Sequence, residues 1–143
     1  MLELMTGLVK ATRFCRQDEA FCEGVTFHQF LILDALAPRE SLPMSVLHEH
    51  LAVAKSTTTR LVGPLVKKGM VKRFQDPGDA RAVRLSLTRE GLHVHQDVKI
   101  CISGFLDRVF NNLPACKRDD TLKAVGTFIG AMQKAVRNEK CCV

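Results

Sequence analysis

Cations and hydroxyls crowd one stretch of this chain. Between Lys55 and Arg84 lie eight basic side chains, Lys55, Arg60, Lys67, Lys68, Lys72, Arg73, Arg81 and Arg84, against only Asp76 and Asp79. Their excess of six equals the formal net charge of all 143 residues, so the rest of the chain is balanced. An excess confined in this way predicts a local surface for a polyanion, not a generally basic protein. Within the stretch, Ser56, Thr57, Thr58 and Thr59 run directly into Arg60. Hydroxyls and a guanidinium in that order can hydrogen-bond phosphate oxygens and base edges. No Ser-His-Asp or Cys-His arrangement, glycine-rich phosphate loop or paired-carboxylate motif has recognisable spacing, so no enzymatic activity is expected.

Six cysteines, at 15, 22, 101, 116, 141 and 142, are the second chemically capable set. Their spacing matches no zinc-ribbon or finger pattern. Residues 1–14 show neither a charged n-region ahead of an apolar run nor a small-residue cleavage site. The expectation is therefore a cytoplasmic protein with reduced thiols. His48/His50 and His93/His95 have the look of metal ligands, but side chains two apart on a helix face different ways, so neither a metal nor a cofactor is expected.

The elements that must position the cationic stretch can be read from periodicity. Residues 2–22 carry an amphipathic helical pattern, closed by Gly24, with Thr26 placed to cap the next helix. Phe27–Leu36 is apolar on most sides and reads as a buried central helix stopped by Pro38. A polar loop (39–43), a short helix (46–51), a brief turn (52–54) and a second helix (55–68) follow. That order is a helix-turn-helix, and Ser56–Arg60 occupy the end from which a recognition helix enters a major groove. Gly69 suits the left-handed position just past a helix end. Pro64 removes a backbone hydrogen bond at a cost of about 3 kcal/mol and predicts a kink.

From Met70 to Thr88 the period drops to two. Val83, Leu85 and Leu87 alternate with Arg84, Ser86 and Thr88, and DPGDAR (76–81) supplies a turn, so a hairpin is predicted with Arg81 at its tip. Thr88 can cap a long helix (89–112). Pro114 breaks the chain before a last helix (118–137). Apolar residues on more than one side of these terminal helices predict a subunit interface.

The recognition segment AKSTTTRLVGPLVKKGMVKR (54–73) and the wing DPGDARAVRLSLTREG (76–91) resemble those of the MarR family of winged-helix transcription regulators. The family's wing pattern falls on Asp79, Arg81, Leu87, Thr88 and Gly91. The resemblance implies a mainly α fold with a small β-hairpin wing in one domain spanning 1–143. Within it, about 26–88 would bind DNA, while 1–25 and 89–143 would intertwine as a dimerisation region. It further implies a homodimer on a pseudo-palindromic duplex, acting as a repressor released by a small-molecule effector or by thiol oxidation or metal binding. Arg81 would enter a minor groove, with Asp79 orienting it. The DNA-binding candidates are Lys55, Ser56, Thr57, Thr58, Thr59, Arg60, Arg73, Asp79, Arg81 and Arg84; Lys67, Lys68 and Lys72 read as a solvated face or distal phosphate contacts. In such a dimer the chain ends approach each other, which makes Cys15, Cys22, Cys141 and Cys142 the candidate thiol sensor.

Composition narrows the partner. Trp and Tyr are absent and Phe is the only aromatic, which argues against a base-stacking platform for single strands. No apolar run approaches the roughly 20 residues that span a bilayer, so no membrane partner is expected. The alternative from another class is a winged-helix protein-interaction module without DNA function, which the concentrated charge disfavours.

Overall fold

The computed structural model describes residues 22–138, together with Glu3. The helix expected over residues 2–22, and with it Cys15, falls outside the described residues, as do Cys141 and Cys142. The chain divides into two compact units, Met1–Cys101 and Ile102–Val143. All of the cationic stretch belongs to the first.

Helix α1 (Phe27–Leu36) forms the centre of the first unit. Thr26 starts it with a capping box: its hydroxyl accepts from the Gln29 amide at 3.2 Å, and the Gln29 side-chain oxygen accepts from the Thr26 amide at 3.0 Å. Two orphan donors are thus satisfied, which lets the helix begin inside the fold. Its apolar residues point in several directions because neighbours cover several sides, and Ile32, Leu33 and Leu36 are fully buried. Around them pack Leu47, Leu65, Val71, Leu85 and Val98, one or more from each neighbouring element. His95 is buried with them, stacked on Phe30 and held by Asp34 at 2.9 Å through Nε2.

A two-residue strand, β1 (Leu42–Pro43), precedes helix α2 (Met44–Leu51). The loop predicted over 39–43 thus contributes an edge to the sheet, with Leu42 paired to Leu85 and Pro43 to Arg84. Helix α3 (Lys55–Lys67) follows a tight turn in which Ala52 adopts a left-handed conformation at φ +50°. α3 runs without interruption through Pro64. Pro64 lies on the exposed side, so the Arg60 carbonyl that loses its helical donor can bond to water instead. Gly69 takes φ +73°, and the amides of Gly69 and Met70 return to the carbonyls of Val66 and Leu65 at 3.0 and 2.9 Å. This double closure ends the helix cleanly and turns the chain into the hairpin.

Strands β2 (Val71–Gln75) and β3 (Val83–Leu87) pair antiparallel from Val71↔Leu87 to Gln75↔Val83, giving the sheet order β1-β3-β2. At the hairpin base, Thr88 joins three elements. Its amide donates to the Met70 carbonyl at 3.1 Å, its hydroxyl lies 2.7 Å from the Gly69 carbonyl, and the same oxygen accepts from the Gly91 amide at 3.0 Å. Helix α4 (Arg89–Asn111) is capped in this way. Gly91 is buried so close to Met70 that an added Cβ would overlap the Met70 carbonyl.

The division between units falls within α4. Its first half buries Val94 and Val98, whereas Leu106 and Val109 in its second half are exposed. In the second unit, a 3-10 turn (Ala115–Lys117) leads into helix α5 (Arg118–Asn138), on which Leu122, Val125, Phe128, Ile129 and Met132 are exposed.

Candidate nucleic-acid interface

Helix α3 presents its N-terminal end outward. Ala54 stands at the cap position and has no side-chain hydrogen bond to the helix, so the first-turn amides lack a side-chain partner. Lys55, Ser56, Thr59 and Arg60 are exposed and Thr57 is half-buried. Thr58 is the exception. With 1% exposure it faces inward, its hydroxyl 3.5 Å from both His48 Nδ1 and the Ala54 carbonyl. It therefore cannot serve as the DNA contact expected of it. It belongs to the stripe Thr58, Val62 and Leu65, all buried, which seats α3 on the core.

The hairpin supplies the second half of the surface. Asp76 and Asp79 shape its loop through short-range turns, accepting from the amides of Gly78 at 2.8 Å and Arg81 at 2.9 Å. The Asp79 carbonyl also accepts from Ala82 at 2.9 Å, and Ala82 returns its own carbonyl to the Asp76 amide at 2.9 Å. Asp79 thus orients the backbone of Arg81 rather than its guanidinium. The Arg81 side chain is exposed, and its guanidinium has no hydrogen-bond or ion-pair partner among the described residues. A cleft of about 420 Å³ opens between α2, α3 and the wing, lined among others by Lys55, Thr59, Arg73, Asp79, Arg81 and Val83. Three cations from three separate elements converge there with only one carboxylate.

Arg84 takes a different path from Arg81. Side chains alternate along a strand, and Val83 lines the cleft, so Arg84 emerges on the other face of the hairpin. Its guanidinium donates to Asp76 Oδ2 at 2.9 Å, to Ser41 Oγ at 2.8 Å and to the Ser41 carbonyl at 3.4 Å. Arg84 holds Asp76, and that hydrogen bond, followed by the Gly78 amide, keeps the Asp76 carboxyl below its ordinary pKa. Neither Ser41 nor this use of Asp76 was anticipated from the sequence. Lys68 is similarly engaged, donating to the Gly24 carbonyl at 2.6 Å.

Of the thiol candidates, only Cys22 lies in the described residues. Its pKa is pushed up to about 11, first by burial and then by hydrogen bonding to Cys101. Both effects disfavour the thiolate, the form that reacts with oxidants. The neighbour is Cys101, 79 positions away in the chain, a pairing that no local sequence signal announces. His93 and His95 separate as helical geometry requires: His93 is exposed beside Asp97, and His95 is buried on Asp34. Among the described residues, no group of three or more His, Cys, Asp or Glu could hold a metal ion.

Residues 25–83 match the model of the MarR family. An uncharacterised HTH-type transcriptional regulator of Bacillus subtilis, YsmB, is 35% identical over 75 residues, covering 52% of this chain and 51% of its own length. The match thus spans about half of that relative. Two solved structures share the fold over most of both chains. The PcaV regulator of Streptomyces coelicolor, in complex with its natural ligand, superposes with a TM-score of 0.71 at 25% identity, covering 90% of this chain and 91% of PcaV. FabT of Streptococcus pneumoniae, in complex with DNA, gives 0.69 at 16% identity, covering 94% and 93%.

Proposed function

We propose that this chain is a member of the MarR family, whose model matches residues 25–83, and a sequence-specific transcriptional regulator that binds duplex DNA as a homodimer. The observation that carries this reading is the convergence of Lys55, Arg73 and Arg81 on one cleft beside the exposed hydroxyls of Ser56 and Thr59. α3 is the element that enters a major groove. Arg60, Ser56, Thr57 and Thr59 meet bases and phosphates, and the uncapped first-turn amides accept a phosphate as their missing cap. Arg81, carried by the wing, reaches the adjacent minor groove, where a cation is favoured by the narrow groove's potential. Lys55 and Arg73 flank these contacts at the phosphate backbone. FabT, solved on DNA, supports the partner.

Dimerisation follows from the apolar residues that the second unit leaves exposed. Leu122, Val125, Ile129 and Met132 recur at helical spacing along one stripe of α5, and a second copy is the partner that a symmetric regulator needs. Two copies then present two recognition helices to two half-sites. No helix of the described residues is long and apolar enough to cross a membrane, and the site of action is the cytoplasm, where DNA is found.

The regulator is a repressor released by a small ligand, a reading supported by PcaV having been solved with one. Oxidation of Cys22 is disfavoured as the signal by its raised pKa. Selection of bound duplexes from a random pool tests the whole reading. Enrichment of two related half-sites about one helical turn apart is expected. Failure to enrich any duplex at low salt would remove the DNA-binding reading. Repeating the selection with reduced and peroxide-treated protein is expected to give the same sequences and affinity.

A further inference from the structure

Arg81 and Arg84 sit on one hairpin, and only Arg84 is tied down. Two of its three hydrogen bonds go to Ser41, 43 positions away in the segment leading into β1, and the third to Asp76, at the root of the wing loop. Both acceptors lie outside the β2–β3 ladder, so these bonds add what strand pairing does not supply. Pairing fixes β3 to β2 and to β1, but the loop from 76 to 82 is otherwise held by its own short-range turns and by the Gln75 side chain, whose Nε2 donates to the Ala80 carbonyl at 3.4 Å. The Arg84 side chain is 26% exposed and that of Asp76 is 22% exposed, so the pair is partly withdrawn from solvent.

We propose that Arg84 is the positioning residue of the wing: by joining β3 to Ser41 and to Asp76 it fixes where Arg81 stands, and it makes no contact with DNA. The consequence for affinity rests on the DNA-binding reading above; the clamp itself does not. A planar guanidinium is suited to this task because it offers donors along two edges at once, Nε and Nη2 toward Ser41 and Nη1 toward Asp76. Asp76 is occupied on both oxygens, Oδ1 by the Gly78 amide and Oδ2 by Arg84. The same carboxylate thus closes the loop and connects it to the strand.

Two measurements on the full chain test this. Amide hydrogen exchange, without DNA, reads the clamp directly: Arg84→Gln is expected to speed exchange at the Asp76 and Ala82 amides by about tenfold. Unchanged exchange there would overturn the proposal. Affinity for the selected duplex reads the consequence. Arg84→Gln is expected to weaken binding by about tenfold in the native background and by less than about twofold in an Arg81→Ala background, because residues acting in series are not additive. Arg84→Lys should behave like Arg84→Gln, since a single ammonium cannot span both acceptors. A direct phosphate contact predicts the opposite, with additive losses and a near-native Lys variant. Asp76→Asn separates the two by sign. It weakens binding if Asp76 anchors the clamp, and tightens binding if the carboxylate merely repels phosphate. Ser41→Ala, away from the loop, should reproduce a part of the Arg84→Gln effect. Should the native chain bind no duplex, the DNA reading fails while hydrogen exchange still decides the clamp.

Discussion

The tip of the wing and its base are built on opposite principles. At the tip, the Arg81 guanidinium is exposed and has no partner among the described residues, and the loop beneath it is held by turns a few residues long. At the base, Thr88 bonds to Gly69, Met70 and Gly91, and Gly91 leaves no room for even a methyl group against Met70. Unsatisfied groups are available to a ligand, whereas satisfied ones stabilise the fold. The contrast explains how one hairpin can be rigid enough to aim a cation and still leave that cation unpaired. It also predicts that changes in the two places have separable signatures, in stability at the base and in affinity at the tip.

The largest expected effect is at the base. Gly91→Ala should destabilise the fold by about 3 kcal/mol, because the new Cβ meets backbone that can move only with the strand. Denaturant unfolding would show it as a lower midpoint. A near-native midpoint would mean that helix and hairpin are not packed as closely as described. On the reading side, Arg60→Ala should cost about 2 kcal/mol of binding with no change in unfolding, measured by titration of the selected duplex. A matching loss of stability would place Arg60 in the fold and blur the contrast.

Thr88→Val should cost about 1 kcal/mol of stability, the usual scale for losing a helix cap, and leave affinity per folded molecule unchanged. In the turn between α2 and α3, Ala52 holds a left-handed conformation that glycine adopts without strain, so Ala52→Gly should raise stability by roughly 0.5 kcal/mol. A lower midpoint would show that the flexibility of glycine outweighs the relief of strain. The smallest effect concerns pH. The folded Asp76 carboxyl lies below its ordinary pKa, so its contribution is present above the unfolded value and lost as pH falls through the lower, folded one. Hydrogen exchange in the wing should therefore accelerate only on strong acidification, beyond the intrinsic pH trend of free peptides.

Much of this organisation was legible in the sequence because it rests on local signals. Val83, Leu85 and Leu87 show the strand period, the DPGDAR turn marks the hairpin, and Gly69 marks the end of α3. The left-handed glycine and the capping threonines at 26 and 88 were found where their types predicted. What was missed depends on distance or brevity. β1 has two residues, too few to display alternation. The acceptor for Arg84 lies on a separate segment, and nothing in the charges of the wing points to a serine. Thr58 was legible in principle: it stands four and seven positions before Val62 and Leu65, the spacing of one helix face. Its membership in a run of hydroxyl residues hid that stripe. Pro64 was singled out as the awkward residue of α3; it lies on the solvent side, where the carbonyl it leaves without a helical donor can bond to water, and the helix continues to Lys67.

The central claim is that an unpaired arginine at the wing tip, set beside the outward end of α3, reads duplex DNA. The salt dependence of binding to the selected duplex, native chain against Arg81→Ala, tests it most directly. The account predicts weaker binding by about ten- to a hundredfold at moderate salt, a salt slope shallower by about one, and an unchanged unfolding midpoint. Equal affinity and equal slope for the two proteins would contradict it.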